Sequence, residues 1–174
     1  LLDLVLPSDK PVAMVGAMRT MSDASWDGPA NLLAAARVAA SPASRGRGTV
    51  VVMNDQVLAA PEVTKMHTEA PGSFMAPDFG PIGVVDSGRV VYRRERPARP
   101  SWQSGGARPG LRAARLDTRV DVIQAATGMD DRFIRASIAA GARGLVIVAF
   151  GRGNVPPAIM PAIRDAIAAG ITVV

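Results

Sequence analysis

The fold is decided by one stretch of the sequence, SRGRGTVVVMND at residues 44–55. A turn with two glycines leads into four β-branched residues and a methionine, and a run of this length and composition is typical of a buried strand. The polar pair Asn54-Asp55 then favours a loop at the carboxyl end of that strand. Open α/β sheets bind their ligands at such ends, so Lys65, which follows Asp55 by ten residues, is a candidate for chemistry.

Lys65 is also unusual in its residue type. The chain has 20 basic residues, of which only Lys10 and Lys65 are lysines. A lysine can give up its proton when it is buried or crowded by charge, whereas an arginine effectively cannot. We therefore weigh a role for Lys65 in proton transfer against the alternative of a loop lysine paired with Glu62 or Glu69.

The composition excludes several kinds of site. The 174 residues are 48% hydrophobic, contain no cysteine and include a single histidine, His67, which is more typical of a loop or core position than of a catalyst. Disulfides, thiol nucleophiles and multi-histidine metal clusters are thus excluded, and we predict no metal ion. No apolar run reaches the roughly 20 residues needed to cross a bilayer, and we predict no membrane partner. We expect a cytoplasmic location, an expectation that does not follow from the lack of such a run.

The residues around the opening stretch predict a strand and a helix before it and a hairpin after it. Residues 12–15 predict a strand. Asp27, followed by Gly28-Pro29, predicts the N-cap of a helix that runs to residue 40 with Leu32, Leu33 and Ala36 on one face. Strand, helix and strand together predict a right-handed parallel crossover. Residues 82–92 carry the signature of a β-hairpin, with its turn at 86–89.

The second half of the chain predicts a smaller unit. Residues 94–118 are rich in Arg, Pro and Gly and indicate an interdomain linker. Strands and helices then alternate over 119–174, as in a parallel sheet. We therefore predict an α/β protein with a parallel-sheet N-terminal domain that carries a β-hairpin (1–93) and a smaller flavodoxin-like C-terminal domain (119–174). The chain opens as if in mid-helix, so we expect both domains to be parts of a longer protein.

Several short motifs occur in the order and at the spacing of one known family. They are VGAMR at 15–19, DGP at 27–29, VVMND at 51–55, VTK at 63–65 and GPIG at 80–83. Residues 147–154 add a strand followed by a glycine loop. On these motifs the chain resembles the bacterial-type L-asparaginase family of asparaginase/glutaminase-like amidohydrolases, over nearly all of its length outside the linker.

The resemblance implies an enzyme that releases ammonia from L-asparagine, and often from L-glutamine, through a threonine nucleophile and without a cofactor. In the family a second threonine, followed by aspartate, acts with a lysine in proton transfer, and Lys65 matches that lysine. Ala17 matches a position whose backbone carbonyl touches the substrate amide. Asn154 matches an asparagine of the intersubunit and substrate loop, although Pro156 stands where many members carry a second asparagine.

One departure from the family concerns the nucleophile. None of the chain's threonines stands at the family's two threonine positions, so we expect these 174 residues alone to be inactive. The resemblance further implies a homo-oligomer, a dimer or tetramer, that binds a small amide and no nucleic acid. Two alternatives remain: a related amidase such as a tRNA-dependent amidotransferase subunit, and a non-catalytic relative that binds its partner through the basic linker.

Overall fold

The computed structural model describes residues 1–6, 8–96 and 116–174. It divides the chain into two compact units, Leu1–Ala114 and Arg115–Val174, each with its own sheet and hydrophobic core. Most of the predicted linker, 94–118, lies outside the described residues. Within them, no helix is both long enough and apolar enough to cross a membrane. The mixture of helices and strands confirms the predicted α/β class.

The first unit is built on a five-stranded sheet with the strand order β1-β2-β3-β6-β7. Its elements in chain order are α1 (Leu2–Val5), β1 (Val12–Met14), α2 (Gly28–Ala40), β2 (Thr49–Met53), β3 (Gln56–Ala59), β4 (Thr64–Lys65), β5 (Phe74–Met75), β6 (Gly83–Asp86) and β7 (Arg89–Tyr92). β1 and β2 are parallel neighbours, as the predicted crossover requires. The other pairs are antiparallel, so the sheet is mixed and its parallel part is limited to β1 and β2.

The chain turns back directly after β2. Asn54 and Asp55 both have positive φ angles, 51° and 56°, and they join β2 to β3 in a two-residue hairpin with Met53 opposite Gln56. Positive φ at both central residues is the geometry that suits the twist of a tight hairpin, and Asn and Asp tolerate it. The predicted loop is therefore a turn within the sheet, and the chain crosses one more strand before it reaches Lys65.

α2 packs on the sheet through small side chains. Its buried apolar residues Ala34, Ala35 and Val38 join a core formed with residues from the strands. Leu32 and Leu33, which were predicted to share one face of the helix with Ala36, are 62% and 52% exposed, so that face does not pack on the sheet. The reason is the fourth buried residue, Asn31, whose side chain bonds to the ends of β1 and β2 and thereby brings positions 34, 35 and 38 towards the sheet.

The second unit is a three-stranded parallel sheet with the order β10-β9-β8. Its elements are β8 (Val120–Gln124), α3 (Arg132–Ala139), β9 (Gly144–Val148), a 3₁₀ turn (Pro157–Ile159), α4 (Met160–Ala168) and β10 (Thr172–Val173). The core lies between the sheet and both helices and contains Ile123, Ile134, Leu145, Ile159, Ala162 and Ala166. The sequence predicted this alternation because each apolar run is bounded by glycine or by a helix cap.

The described start of the predicted linker packs on the first unit. Arg94 forms an ion pair with Glu62 and donates to the carbonyl of Gly80 at 2.6 Å. Arg96 forms a bidentate pair with Asp3, at 2.8 and 2.9 Å, and both side chains are about nine-tenths buried. These two arginines therefore fix the chain after β7 to the body of the unit, and their charges are engaged internally.

Candidate active site

Lys65 lies on the short ribbon of β4 and β5. The ribbon is held by the pairing of Lys65 with Phe74 and by a hydrogen bond of 2.7 Å from the Met66 N–H to the Ser73 carbonyl. The Lys65 side chain is exposed, and its amine lies 6.0 Å from the centroid of the Phe74 ring. It forms no ion pair within the described part of the chain, since Glu62 binds Arg94 instead. The Lys65 amine is therefore open to solvent and to a ligand.

Ala17 lies three residues beyond the end of β1, between two fixed peptide groups. The carbonyl of Gly16 accepts a hydrogen bond of 3.1 Å from the Asn31 amide, which fixes the peptide before Ala17. The N–H of Met18 donates to the Asp27 carboxylate at 3.0 Å, which fixes the peptide after Ala17. Because that peptide is trans, the Ala17 carbonyl points to the side opposite Asp27. No donor among the described residues reaches this carbonyl, and Ala17 is exposed.

The Asp27 carboxylate holds this segment with three donors. Besides Met18 it accepts the N–H of Arg19 at 3.0 Å and the Asn31 amide at 2.9 Å. Burial acts to raise the pKa of Asp27, but the hydrogen bonds from Arg19, Met18 and Asn31 outweigh it, so the pKa lies below its usual value of 3.8. Asp27 thus stays ionised at neutral pH, and its bonds are charge-assisted.

Asn31 connects the same segment to the end of β2. Its side chain is buried, and its carbonyl oxygen accepts the N–H of Asn54 at 2.9 Å while its amide donates to Gly16 and Asp27. A buried amide with every donor and acceptor engaged fixes its neighbours because each lost bond leaves a desolvated polar group. Asn31 therefore holds the β2–β3 turn, the start of α2 and the end of β1 in one arrangement.

A cavity of about 780 Å³ lies between two loops of the first unit. One wall follows Ala17 and the other follows Lys65, and the lining residues are Met18, Arg19, Asp23, Ala24, Ser25, His67, Glu69, Ala70 and Pro71. The walls carry charges of both signs. No cluster of three or more metal-ligating side chains occurs in the described ranges. The arrangement can therefore bind a small polar molecule that carries both charges and hydrogen-bonding groups.

His67 stabilises the second wall. Its ring Nδ1 accepts the backbone N–H of Glu69 at 3.0 Å and that of Ala70 at 3.1 Å. Nδ1 must be unprotonated to accept these bonds. The predicted loop position of His67 agrees with this geometry, in which the ring closes a turn two residues after Lys65.

The predicted site residues fall into two groups. The segments that follow Ala17 and Lys65 meet at the cavity of the first unit. Asn154 lies in the second unit, is exposed, and exchanges two backbone hydrogen bonds with Phe150 at 2.8 and 2.9 Å. These bonds close the glycine loop, in which Gly151 and Gly153 have φ angles of 50° and 107° that favour glycine.

Sequence reasoning assigned no functional role to Asp27 or Asn31. Asp27 was predicted as a helix cap, and it does stand at the N-cap of α2, but its carboxylate makes no capping bond to the helix backbone. It binds the backbone of the preceding loop and the Asn31 side chain instead. Asn31 carried one detectable signal. It is a polar residue four positions after Asp27, and it shares a helix face with Ala34, Ala35 and Val38.

Comparison with known proteins identifies the family. Residues 1–98 match the family model for the asparaginase N-terminal domain, and residues 119–174 match the model for the glutaminase/asparaginase C-terminal domain. The chain is 40% identical to a probable L-asparaginase of Deinococcus radiodurans, over 93% of this chain and 48% of the relative. It is 35% identical to L-asparaginase 2 of Escherichia coli and to a probable periplasmic L-asparaginase of Haemophilus influenzae, in each case over 99% of this chain and 49% of the relative.

The matches include nearly all of this chain but only part of each relative. The chain spans about half the length of these curated relatives. One of the two family models alone includes more than half of the chain, and the two follow one another in the order that the motifs predict. The resemblance inferred from VGAMR, VVMND and VTK is thereby confirmed, and the chain belongs to the asparaginase family.

Proposed function

We propose that the protein hydrolyses the side-chain amide of L-asparagine to give L-aspartate and ammonia. One observation carries this proposal. The Lys65 amine forms no ion pair with the described residues, and the Ala17 carbonyl accepts no hydrogen bond from them. Both stand at the family's lysine and substrate-carbonyl positions, and the segments that follow them line one cavity. The names of the relatives and the matched family models support the same substrate class.

In the proposed reaction, the Ala17 carbonyl accepts an N–H of the substrate amide. A hydroxyl oxygen attacks the amide carbon, the C–N bond breaks and ammonia leaves with the proton of the hydroxyl; water then hydrolyses the acyl intermediate. The resemblance assigns the hydroxyl to a threonine, and none of the seven threonines in these 174 residues matches that position.

We assign the proton transfer to the Lys65 amine. An amine that is fixed only through its backbone and forms no ion pair within the described residues is free to approach the hydroxyl and the leaving nitrogen. Loss of a group that transfers a proton in the transition state costs about 10²- to 10⁴-fold in rate. The lysine would therefore act on kcat more than on substrate affinity.

The two lysines of the chain provide a matched test. We expect Lys65→Ala, made in the protein as its gene encodes it, to reduce ammonia release from L-asparagine by about 10²-fold or more. Lys10→Ala is the control, because Lys10 is an exposed lysine that precedes β1 and does not belong to the β4–β5 ribbon. Equal activity of the two variants would contradict the role of Lys65.

The alternative of a basic binding segment receives little support. Arg94 and Arg96 begin the Arg-rich segment, and both side chains are engaged with Glu62 and Asp3. An arginine bound to an internal carboxylate has less charge to offer a phosphate backbone. No observation on the described residues favours the amidotransferase alternative over an asparaginase, and the curated relatives named above carry the name asparaginase.

We further propose two domains, 1–93 and 119–174, joined by the linker 94–118. The second matched family range begins at 119 and supports that bound, whereas the first extends to 98, five residues into the proposed linker. We assign Asn154 to a substrate loop that acts across a homo-oligomer interface. Sedimentation of the purified protein tests the assembly, since a monomer with full activity would exclude a shared site.

Substrate range and location extend the proposal. We include L-glutamine as a weaker substrate, in keeping with the name of the matched C-terminal model, and compare it with L-asparagine in the same ammonia assay.

We propose the cytoplasm as the compartment, while the relative from Haemophilus influenzae carries a periplasmic name. Activity recovered in a periplasmic extract of the source cells would contradict this assignment.

A further inference from the structure

The carbonyl of Ala17 is held in place by bonds that Ala17 itself does not make. Its own oxygen has no donor among the described residues, yet both flanking peptides are tied to side chains. A carbonyl in an exposed loop would otherwise rotate with the backbone dihedrals around it. The direction of this acceptor therefore depends on the side chains that tie the neighbouring peptides.

Those side chains are Asp27 and Asn31. Asp27 accepts the Met18 N–H, which belongs to the same peptide group as the Ala17 carbonyl, and planarity transmits the direction of one to the other. Asn31 fixes the preceding peptide through Gly16 and holds the Asp27 carboxylate at 2.9 Å. The polar atoms of both side chains are engaged by protein groups, so Asp27 and Asn31 act through the backbone that they hold.

We propose that Asp27 and Asn31 are positioning residues which aim the Ala17 carbonyl at the N–H of an amide substrate. The inference rests on the proposed function, because it concerns the substrate of the same site. A fixed acceptor favours substrates whose leaving group carries an N–H and gives no advantage to those whose leaving group has none. Asp27 and Asn31 thus contribute to selection of amides over esters.

This selection separates a positioning role from a structural one. L-Aspartate β-methyl ester has the same acyl part as L-asparagine, but its leaving oxygen carries no hydrogen to donate to Ala17. A general disturbance of the fold would slow both substrates alike. A misdirected Ala17 carbonyl would slow the amide and spare the ester.

The experiment uses the protein as its gene encodes it and two substitutions of almost unchanged size. Asp27→Asn removes the negative charge and replaces one acceptor oxygen with an amide nitrogen, so at least one of the Met18, Arg19 and Asn31 donors loses its acceptor. Asn31→Asp removes the donor to Gly16 and Asp27 but keeps the acceptor for the Asn54 N–H. Asp9→Asn is the matched control, since Asp9 precedes β1 and pairs with Arg45 at the surface.

We expect kcat/KM for L-asparagine to fall at least about tenfold in Asp27→Asn and Asn31→Asp, the loss typical of one charge-assisted hydrogen bond. For the ester we expect kcat/KM to change less than about threefold, and Asp9→Asn should leave both values unchanged. Circular dichroism at the assay temperature establishes that each variant is folded. If Asn31→Asp does not fold, Asp27→Asn decides alone.

Equal losses for amide and ester, or no loss for either, would overturn the positioning role. If the wild-type protein hydrolyses both substrates and the variants show the same kcat/KM values, this inference alone is overturned. A wild-type protein that releases no ammonia from L-asparagine overturns the proposed function, and the inference with it.

Discussion

The two segments that flank the cavity are held in different ways. The segment 16–19 is tied by bonds from its backbone to the side chains of Asp27 and Asn31, one ionised and one buried. The ribbon that carries Lys65 is tied by pairing of two residues on each strand and leaves its side chain exposed. A hydrogen-bond acceptor works by direction and gains from rigidity, whereas a proton carrier must move between partners. The contrast suits the two roles proposed here.

The largest effect should come from a change that keeps the positive charge at residue 65 but removes the ability of its side chain to release a proton. Lys65→Arg retains a cation, yet a guanidinium does not give up a proton at accessible pH. We expect ammonia release from L-asparagine to fall about 10²-fold or more, close to the loss in Lys65→Ala.

The measurement is steady-state kcat at saturating L-asparagine, with Lys10→Arg as the control at the other lysine. Near-complete activity in Lys65→Arg would mean that the positive charge alone is required. That result would contradict the role of Lys65 as a proton carrier, and with it the contrast to the fixed Ala17 carbonyl.

A second prediction concerns the other segment and the stability of the unit. Asn31→Ala removes the partners of Gly16, Asp27 and Asn54, and we expect a loss of about 1–3 kcal/mol in the free energy of unfolding. Leu33→Ala on the same helix should cost less than about 0.5 kcal/mol, since Leu33 is 52% exposed. Urea titration compares the two, and a larger cost for Leu33→Ala would contradict the observed helix face.

That helix face shows where sequence reasoning stops. The sequence predicted β8 and the β6–β7 hairpin because strand periodicity and turn residues are local signals. It grouped Leu32, Leu33 and Ala36 on one apolar face because large apolar residues dominate any pattern count. The structure buries Asn31, Ala34, Ala35 and Val38 instead, and the hydrogen bonds of Asn31 to Gly16 and Asn54 fix this face of the helix against the sheet.

For the site, too, the sequence predicted the residues that stand in continuous motifs but not those that act through tertiary contacts. Lys65 and Ala17 stand in motifs that are continuous in sequence, and the resemblance assigned their roles from those motifs. Asp27 binds backbone N–H groups eight and nine residues upstream. Every residue except proline has such a group, so the residue types at those positions do not indicate the bond. The two-residue strands of the β4–β5 ribbon are too short for any periodicity. Both features depend on tertiary structure.

The ionisation of Asp27 gives a third test. Its pKa is lower in the folded protein than the ordinary 3.8, so its contribution to stability is complete above about pH 3.8 and is lost as the pH falls through the folded value. Between pH 5 and 3, wild type should therefore lose more stability than Asp27→Asn. Urea titration at both pH values measures the difference, with Asp9→Asn as the reference for removal of a surface carboxylate. Equal acid losses in wild type and Asp27→Asn would mean that the network does not favour the ionised form.

The smallest effect should come from His67, which holds the wall after Lys65 by two bonds in an exposed turn. His67→Phe removes the acceptor, and we expect a loss of about 0.5–1 kcal/mol in the free energy of unfolding, whereas His67→Asn keeps an acceptor near Nδ1 and should cost less. Amide hydrogen exchange sharpens the comparison. His67→Phe should accelerate exchange at Glu69 and Ala70 and leave Met18 and Arg19 unchanged, while Asp27→Asn should do the reverse. Acceleration at all four amides in either variant would mean that the two walls open together, and the difference between the segments would then lie in their contacts and not in their stability.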